Sequence, residues 1–254
     1  MPALLLELAD AVQSAIQAFR GDIGEIVGKG ADGAPTARID AVAERALLDH
    51  LERHGTNVNV LSEEAGWIDR GAESTLVVDP IDGTHNAIRG VPAYAVSIAL
   101  ARSSLRDVEA GVVRNLVTGH TYVAERGKGA SLDGRPIRVR SFNPKDTLFD
   151  VYFGENADPK AAEVAAAARR VRNFGAASLD LCLVAQGAAD LYYVNSGSRT
   201  RLRIVDIAAG VFIVREAGGE VFDLDGTVLD MPLDPTAHTN LVAVGDRRAL
   251  EWIP

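Results

Sequence analysis

The stretch VVDPIDGTHN, residues 77–86, limits what this chain can fold into more than any other. The apolar run Thr75-Leu76-Val77-Val78 suits a short buried strand. Asp79 stands at its end, where α/β proteins place ligands. Pro80 fixes φ and turns the chain, so Asp82 brings a second carboxylate back to the same point. Gly83 lets the backbone approach a bound group closely. Gly83 and Thr84 open the next helical turn and offer N–H groups to a phosphate. A turn with an aspartate helix cap accounts for Asp82 alone, but not for the hexapeptide taken with the acids found elsewhere.

Those acids recur at similar places. LSEE puts Glu63 and Glu64 at the end of another strand, and RIVDIAAG puts Asp206 at the start of a helix. Ala208, Ala209 and Gly210 are small enough there for something to pack close. Singly, Asp206 is an ordinary N-cap and Glu64 a solvated acid. Together Glu63, Asp79, Asp82 and Asp206 supply four hard oxygen ligands, and such a buried cluster without cations is costly. All-oxygen sites suit Mg²⁺. The five histidines are read as forming no i, i+4 metal pair, and His85, nearest the site, is given no role.

A second Asp-Gly-Thr lies in VFDLDGTVLD, residues 221–230, and reads like the opening of a haloacid-dehalogenase-type phosphatase with Asp223 as nucleophile. Too few residues follow Thr227, with Pro232, Pro235 and Pro254 among them, to hold the ~100-residue sheet-and-helix domain that chemistry requires. The expectation is a β-hairpin between EVFDL and TVLDM, with Asp225-Gly226 as its turn.

The remaining chain reads as α/β. Leu5, Leu8, Ala9, Val12 and Ile16 recur at helical spacing, as do Ile39, Val42, Ala46, Leu47 and Leu51, with Gly55 ending the second helix. GKGADGAPT, residues 28–36, is expected to be a flexible loop. VSIALARS, EAGVVRNLVTG and HTYVAER read as strands, and SLDGRPIRVR as a hairpin. The turn-rich residues 141–160 suggest a boundary between an N-terminal half, 1–143, carrying the hexapeptide and a C-terminal half, 144–254, carrying Asp206, joined as one compact unit. A net charge of −9 weighs against nucleic-acid or anionic-membrane partners. The single cysteine, Cys182, excludes an internal disulfide and a thiolate zinc site. No run approaches ~18 apolar residues, and Glu7 and Asp10 interrupt the N-terminal apolar stretch. A soluble cytoplasmic protein is expected.

With these segments in view, VVDPIDGTHN, LSEE and IVDIAAGVFIVREAGG resemble the inositol monophosphatase family, within the superfamily of Mg²⁺-dependent, lithium-sensitive phosphatases that includes fructose-1,6-bisphosphatases. PTARIDAVAE, GKGASLDGRPIRV and FGAASLDLCLVAQGAADLYY fall in the family's order, so the resemblance covers nearly the whole chain. It is closest to archaeal and bacterial enzymes that accept both inositol monophosphate and fructose 1,6-bisphosphate. The resemblance implies a layered αβαβα sandwich, two or three Mg²⁺ per site with Mn²⁺ as a substitute, and a homodimer. By the same resemblance Glu63, Asp79 and the carbonyl of Ile81 bind one metal, and Asp79, Asp82 and Asp206 a second. A third, looser one touches Glu63. Thr84 and Asp40 orient and deprotonate the attacking water, and Gly83 and Thr84 hold the phosphate. Ala177 is counted on the substrate side, and residues 28–36 would be a mobile segment closing over the site.

Two positions depart from the family's inositol-preferring members: Val194 and Asn195 follow ADLYY in place of an acid, and Val205 replaces an aromatic residue before Asp206. Both weigh against a dedicated inositol monophosphatase. Arg172, Arg199, Arg201 and Arg203 offer bidentate partners for a second phosphate, or else form a solvated edge or dimer contact. The rival readings are a 3′-phosphoadenosine 5′-phosphate phosphatase on the same scaffold, which the low aromatic content of 6% disfavours, and a catalytically silent metal-binding regulatory protein.

Overall fold

The structure is a computed structural model that describes residues 2–31, 33–154, 156–197 and 202–254. Helix α1 (Pro2–Ala18) leads to a hairpin of β1 (Ile26–Lys29) and β2 (Pro35–Ala37), then to α2 (Arg38–Arg53). Strands β3 (Asn59–Ser62), β4 (Gly66–Ile68) and β5 (Thr75–Asp82) precede the short helix α3 (Thr84–Arg89). Strands β6 (Ala95–Ala101), β7 (Ala110–Asn115), β8 (Thr121–Glu125), β9 (Gly129–Leu132) and β10 (Arg135–Ile137) complete the first half. The second half runs β11 (Leu148–Val151), α4 (Lys160–Ala167), β12 (Arg170–Arg172), α5 (Ala177–Ala185), β13 (Leu191–Val194), β14 (Leu202–Arg203) and α6 (Ile204–Glu216). It ends with β15 (Glu220–Phe222), β16 (His238–Thr239), β17 (Leu241–Val244) and a 3₁₀ turn at Arg247–Trp252.

Two large sheets result. The first has the order β10-β9-β8-β7-β6-β5-β3-β4 and the second β12-β11-β13-β17-β15. Helices α1 and α2 cover the outer face of the first sheet, α5 and α6 fill the space between the sheets, and α4 with the 3₁₀ turn covers the second. This is the αβαβα layering expected.

The layering follows from strand alternation. On β6, Val96, Ile98 and Leu100 face α1 and α2, while Ala95, Ala99 and Ala101 face the central layer. The small central-facing residues let α6 come close: a Cβ on Gly111 would lie 3.3 Å from the Ala209 carbonyl. On α2, Ile39, Ala43, Leu47 and Leu51 form the buried stripe, each large aliphatic contributing about 1.5–3 kcal/mol by leaving water. Helices α5 and α6 are apolar on all sides because a sheet lies against each face. The neighbour admitted by Gly210 is Leu181 of α5.

One local expectation is corrected and two gain detail. Residues 28–36 are not simply a loop, since β1 and β2 pair antiparallel with Gly28 opposite Thr36. The Ala31 N–H donates to the Glu64 carbonyl at 3.0 Å, and the Thr36 hydroxyl donates to the Glu64 carboxylate, fastening the hairpin to the turn after β3. Residues 141–160 contain β11, whose buried Phe149, Asp150 and Val151 place it inside the second sheet. The sheets change between Ile137 and Leu148. The hairpin at Asp225-Gly226 has only a single bridge, Phe222 to Val228, in place of a second strand. The Asp223 carboxylate accepts from the N–H groups of Asp225 and Thr227 at 3.0 and 2.9 Å and so shapes that turn locally.

Candidate active site

Strand pairing sets the first acids side by side. β3 and β5 run parallel, with Ser62 opposite Val78, so Glu63 and Asp79 emerge together. Beyond Asp79 the pairing of β5 with β6 breaks into a bulge that resumes at Asp82. Pro80 lies inside the bulge, where no ladder donor is required. Asp79 then accepts the Ile81 N–H at 3.0 Å. Gly83 caps α3 with φ 89°, and a Cβ there would come within 3.0 Å of the Ala93 carbonyl.

The other acids stand at helix N-termini, where the partial positive charge favours a carboxylate. Asp40, third residue of α2, accepts the Ala37 N–H at 3.1 Å. Asp206, third residue of α6, accepts the Arg203 N–H at 2.7 Å. Asp82 reaches across to α5 and accepts from the N–H groups of Ala177 and Ser178 at 3.1 and 2.7 Å and from the Ser178 hydroxyl. These elements surround a cleft of ≈ 330 Å³ lined by Glu63, Asp79, Asp82, Thr84, Arg203 and Asp206, with Ile81, Gly83 and Ala177 also at its wall.

Ligand atoms of Glu63, Asp79 and Asp206 all lie within 4.8 Å of one another. Burial pushes the Asp79 carboxyl well above its ordinary range, reinforced by the charges of Glu63, Asp82 and Asp206. Burial also raises Asp82 to about 7, against the hydrogen bonds from Ser178. Asp206 rises to about 6 by burial, opposed by Arg203. Carboxylates that burial makes reluctant to ionise, with oxygen as the common donor atom, fit a hard divalent cation. Thr84 Oγ1 lies 2.7 Å from Asp40 Oδ1 and 3.0 Å from the Ile81 carbonyl. Burial raises Asp40 to about 6.

The proposed substrate residues are distributed differently. Ala177 is at the cleft wall. Arg203 is in it too, with its guanidinium on Glu63 and Asp206. Arg172 is exposed on the edge strand β12, where Nη1 donates to the Val171 carbonyl at 2.7 Å. Arg199 and Arg201 lie outside the described residues.

Several cleft residues were not singled out from the sequence. Tyr152, Asn173, Gly175, Asp180 and Tyr192 line it, as does His85. Asp180 is a lone charge in an otherwise apolar helix, which was a readable signal. It is fully buried beside Asp150, whose two carboxylate oxygens have no partner among the described residues. Burial raises Asp150 to about 7 and pushes Asp180 well above the usual range, the latter reinforced by the charge of Asp150. Glu44 accepts from the Ser62 hydroxyl at 2.5 Å and the Ala65 N–H at 2.8 Å, and so shapes the turn that presents Glu63. His50, on α2, and His54, its C-cap, do stand four apart, a spacing the sequence reading passed over. Their rings stack at 4.2 Å, and neither lines the cleft.

Comparison with known proteins agrees with this geometry. The chain is 38% identical, over 98% of its length and 93% of the relative's, to a fructose-1,6-bisphosphatase/inositol-1-monophosphatase of Methanothermobacter thermautotrophicus. It is 33% identical to a bifunctional NADP phosphatase/NAD kinase of Methanococcus maripaludis, matching 95% of this chain and 46% of that one. A crystal structure of an inositol monophosphatase-fructose 1,6 bisphosphatase superposes with a TM-score of 0.88 at 32% identity, covering 99% of this chain and 97% of the other. The model of the Inositol monophosphatase family matches residues 3–253. A buried cluster of strand-end and helix-start acids, a shared fold and a match along almost the whole sequence lead to one conclusion: the chain belongs to the inositol monophosphatase family.

Proposed function

We propose that this phosphoric monoester hydrolase is a Mg²⁺-dependent phosphatase of sugar and polyol phosphates, acting on fructose 1,6-bisphosphate and inositol 1-phosphate. The observation that carries this reading is the meeting of Glu63, Asp79 and Asp206 within 4.8 Å, beside the Thr84–Asp40 hydrogen bond. Glu63, Asp79, Asp82, Asp206 and the Ile81 carbonyl hold the cations. Bound divalent cations neutralise phosphate charge and make water a better nucleophile at neutral pH. Thr84 Oγ1 hands its proton to Asp40 and accepts one from the attacking water, whose oxygen bonds to phosphorus as the ester P–O bond breaks and the departing alkoxide takes a proton from water. An acceptor near pH 6 suits that task. Gly83, Thr84 and Ala177, at the starts of α3 and α5, receive the phosphate. A second phosphate, where the substrate has one, falls to Arg172, Arg199 and Arg201, because the Arg203 guanidinium is taken by Glu63 and Asp206. Segments 1–143 and 144–254 act as one unit, the second bringing Asp206 to the acids of the first. The family resemblance supports a cytoplasmic homodimer that works on small molecules, and the net charge of −9 weighs against nucleic-acid or anionic-membrane partners.

The test is phosphate release with Mg²⁺ from fructose 1,6-bisphosphate, inositol 1-phosphate, 3′-phosphoadenosine 5′-phosphate and NADP. The expected result is turnover of the first two, abolished by a chelator. Release from the nucleotides alone would transfer the substrate class. Binding of Mg²⁺ with no release from any of them would favour the silent metal-binding protein.

A further inference from the structure

Arg203 stands where a cation is needed. Its Nη2 pairs with Glu63 Oε1 and lies 3.0 Å from Asp206 Oδ1, and its Nε lies 3.4 Å from Asp206 Oδ2. Those two acids are two of the three whose ligand atoms cluster within 4.8 Å. The three side chains keep little exposure: 16% for Arg203, 24% for Glu63 and 13% for Asp206. A guanidinium fork matches paired carboxylates well, but a dication and a guanidinium compete for the same oxygens, because like charges are then brought close together.

Arg203 also has somewhere to go. The same side chain lines a neighbouring cavity of ≈ 490 Å³ with Glu63, Ser62, Trp67, Val205 and His238. Trp67 is 46% exposed there, and its ring offers a cation–π face to an arginine. The Arg203 backbone is held in β14 by pairing with His238, so the side chain can turn while the strand stays.

Resting on the reading above, that the cluster is the metal centre, we propose that Arg203 is a tethered counter-ion. It occupies Glu63 and Asp206 when divalent cation is absent and withdraws into the neighbouring cavity when cation binds. The residue thereby sets how tightly the centre takes Mg²⁺ and keeps the metal-free carboxylates from repelling one another. Metal affinity is lowered by the fraction of molecules in which the side chain is engaged.

The experiment uses the full chain, stripped with chelator, and Arg203→Met with Arg203→Lys beside it. Mg²⁺ affinity is measured by calorimetry and Tm with EDTA or saturating Mg²⁺. Arg203→Met is expected to bind Mg²⁺ ~10-fold more tightly, and to lose on the order of 3–5 °C of Tm in EDTA but almost none in Mg²⁺. Arg203→Lys, which keeps the charge but not the fork, is expected to fall between. A fixed salt bridge would cost the same Tm in both conditions, and that result overturns the proposal. So does unchanged or weaker Mg²⁺ affinity, which with a raised KM would make Arg203 a substrate contact. Absence of Mg²⁺ binding by the parent chain and the variants alike would instead remove the metal-phosphatase reading, and this proposal with it.

Discussion

Thr84 donates its hydroxyl proton to Asp40 across 2.7 Å, although the two residues are 44 positions apart in the chain. Asp40 belongs to the first turn of α2 and Thr84 to that of α3, so the pair exists only because both helices begin at one end of the first sheet. Thr84→Ala is therefore expected to lower kcat by about 10²-fold or more while leaving Mg²⁺ affinity within a small factor. Thr84→Ser should recover most of the activity. Equal loss in both variants would take the hydroxyl out of the mechanism.

Asp82→Asn is expected to abolish turnover and to leave a folded chain. Asp82 accepts three hydrogen bonds from Ala177 and Ser178, and an amide can accept on one side only. The mismatched donor costs about 1–3 kcal/mol, offset in part by removal of a buried charge. Circular dichroism and steady-state phosphate release check both halves; full activity would contradict the ligand role.

Asp223→Asn is expected to change neither turnover nor Tm appreciably. The amide oxygen can still accept the N–H groups that Asp223 takes from Asp225 and Thr227. Loss of activity together with a trapped phospho-enzyme in the parent chain would revive a covalent mechanism at the downstream Asp-Gly-Thr.

The metal-free chain should become less stable as pH rises. Asp40 and Asp206 stand at about 6 and Asp82 and Asp150 at about 7, against an ordinary value of 3.8. Between roughly pH 4 and 7 the folded chain then holds more protons than the unfolded one, so stability falls with pH across that window. In EDTA, Tm is expected to be higher at pH 5 than at pH 7.5, and Mg²⁺ should raise it most at the upper end. A Tm that climbs from pH 5 to 7.5 in EDTA would show that these acids ionise freely.

Gly210→Ala should destabilise the chain by about 1–3 kcal/mol through overpacking. A Cβ there would lie 2.7 Å from Leu181 Cδ1 and 2.9 Å from Leu181 Cβ, where α6 packs against α5. Urea unfolding measures the cost, and Leu181→Ala in the same chain should relieve part of it.

Much of this was present in local sequence. The apolar run before Asp79, the turn at Pro80 and the glycine at 83 describe a strand, a bend and a helix start in chain order, and each depends on neighbours a few residues away. The acids that sequence could nominate were those at such strand ends and helix starts: Glu63, Asp79, Asp82 and Asp206. Asp150 gave no comparable signal, because LFDVYF shows nothing of the buried Asp180 it meets. Glu44 gave no signal either, because the sequence of its helix shows nothing of the Ser62 and Ala65 groups that donate to it.

What the amino-acid order alone determined was the set of candidate oxygen ligands and the short-range geometry that aims each of them. Only the tertiary structure decided their company. The parallel register of β3 on β5 set Glu63 beside Asp79, the start of α5 took Asp82, and Arg203 lay across Glu63 and Asp206. Turn and helix preferences act over a few bonds, whereas the pairing of charges buried between two sheets depends on which distant segments the core brings within contact and leaves without water.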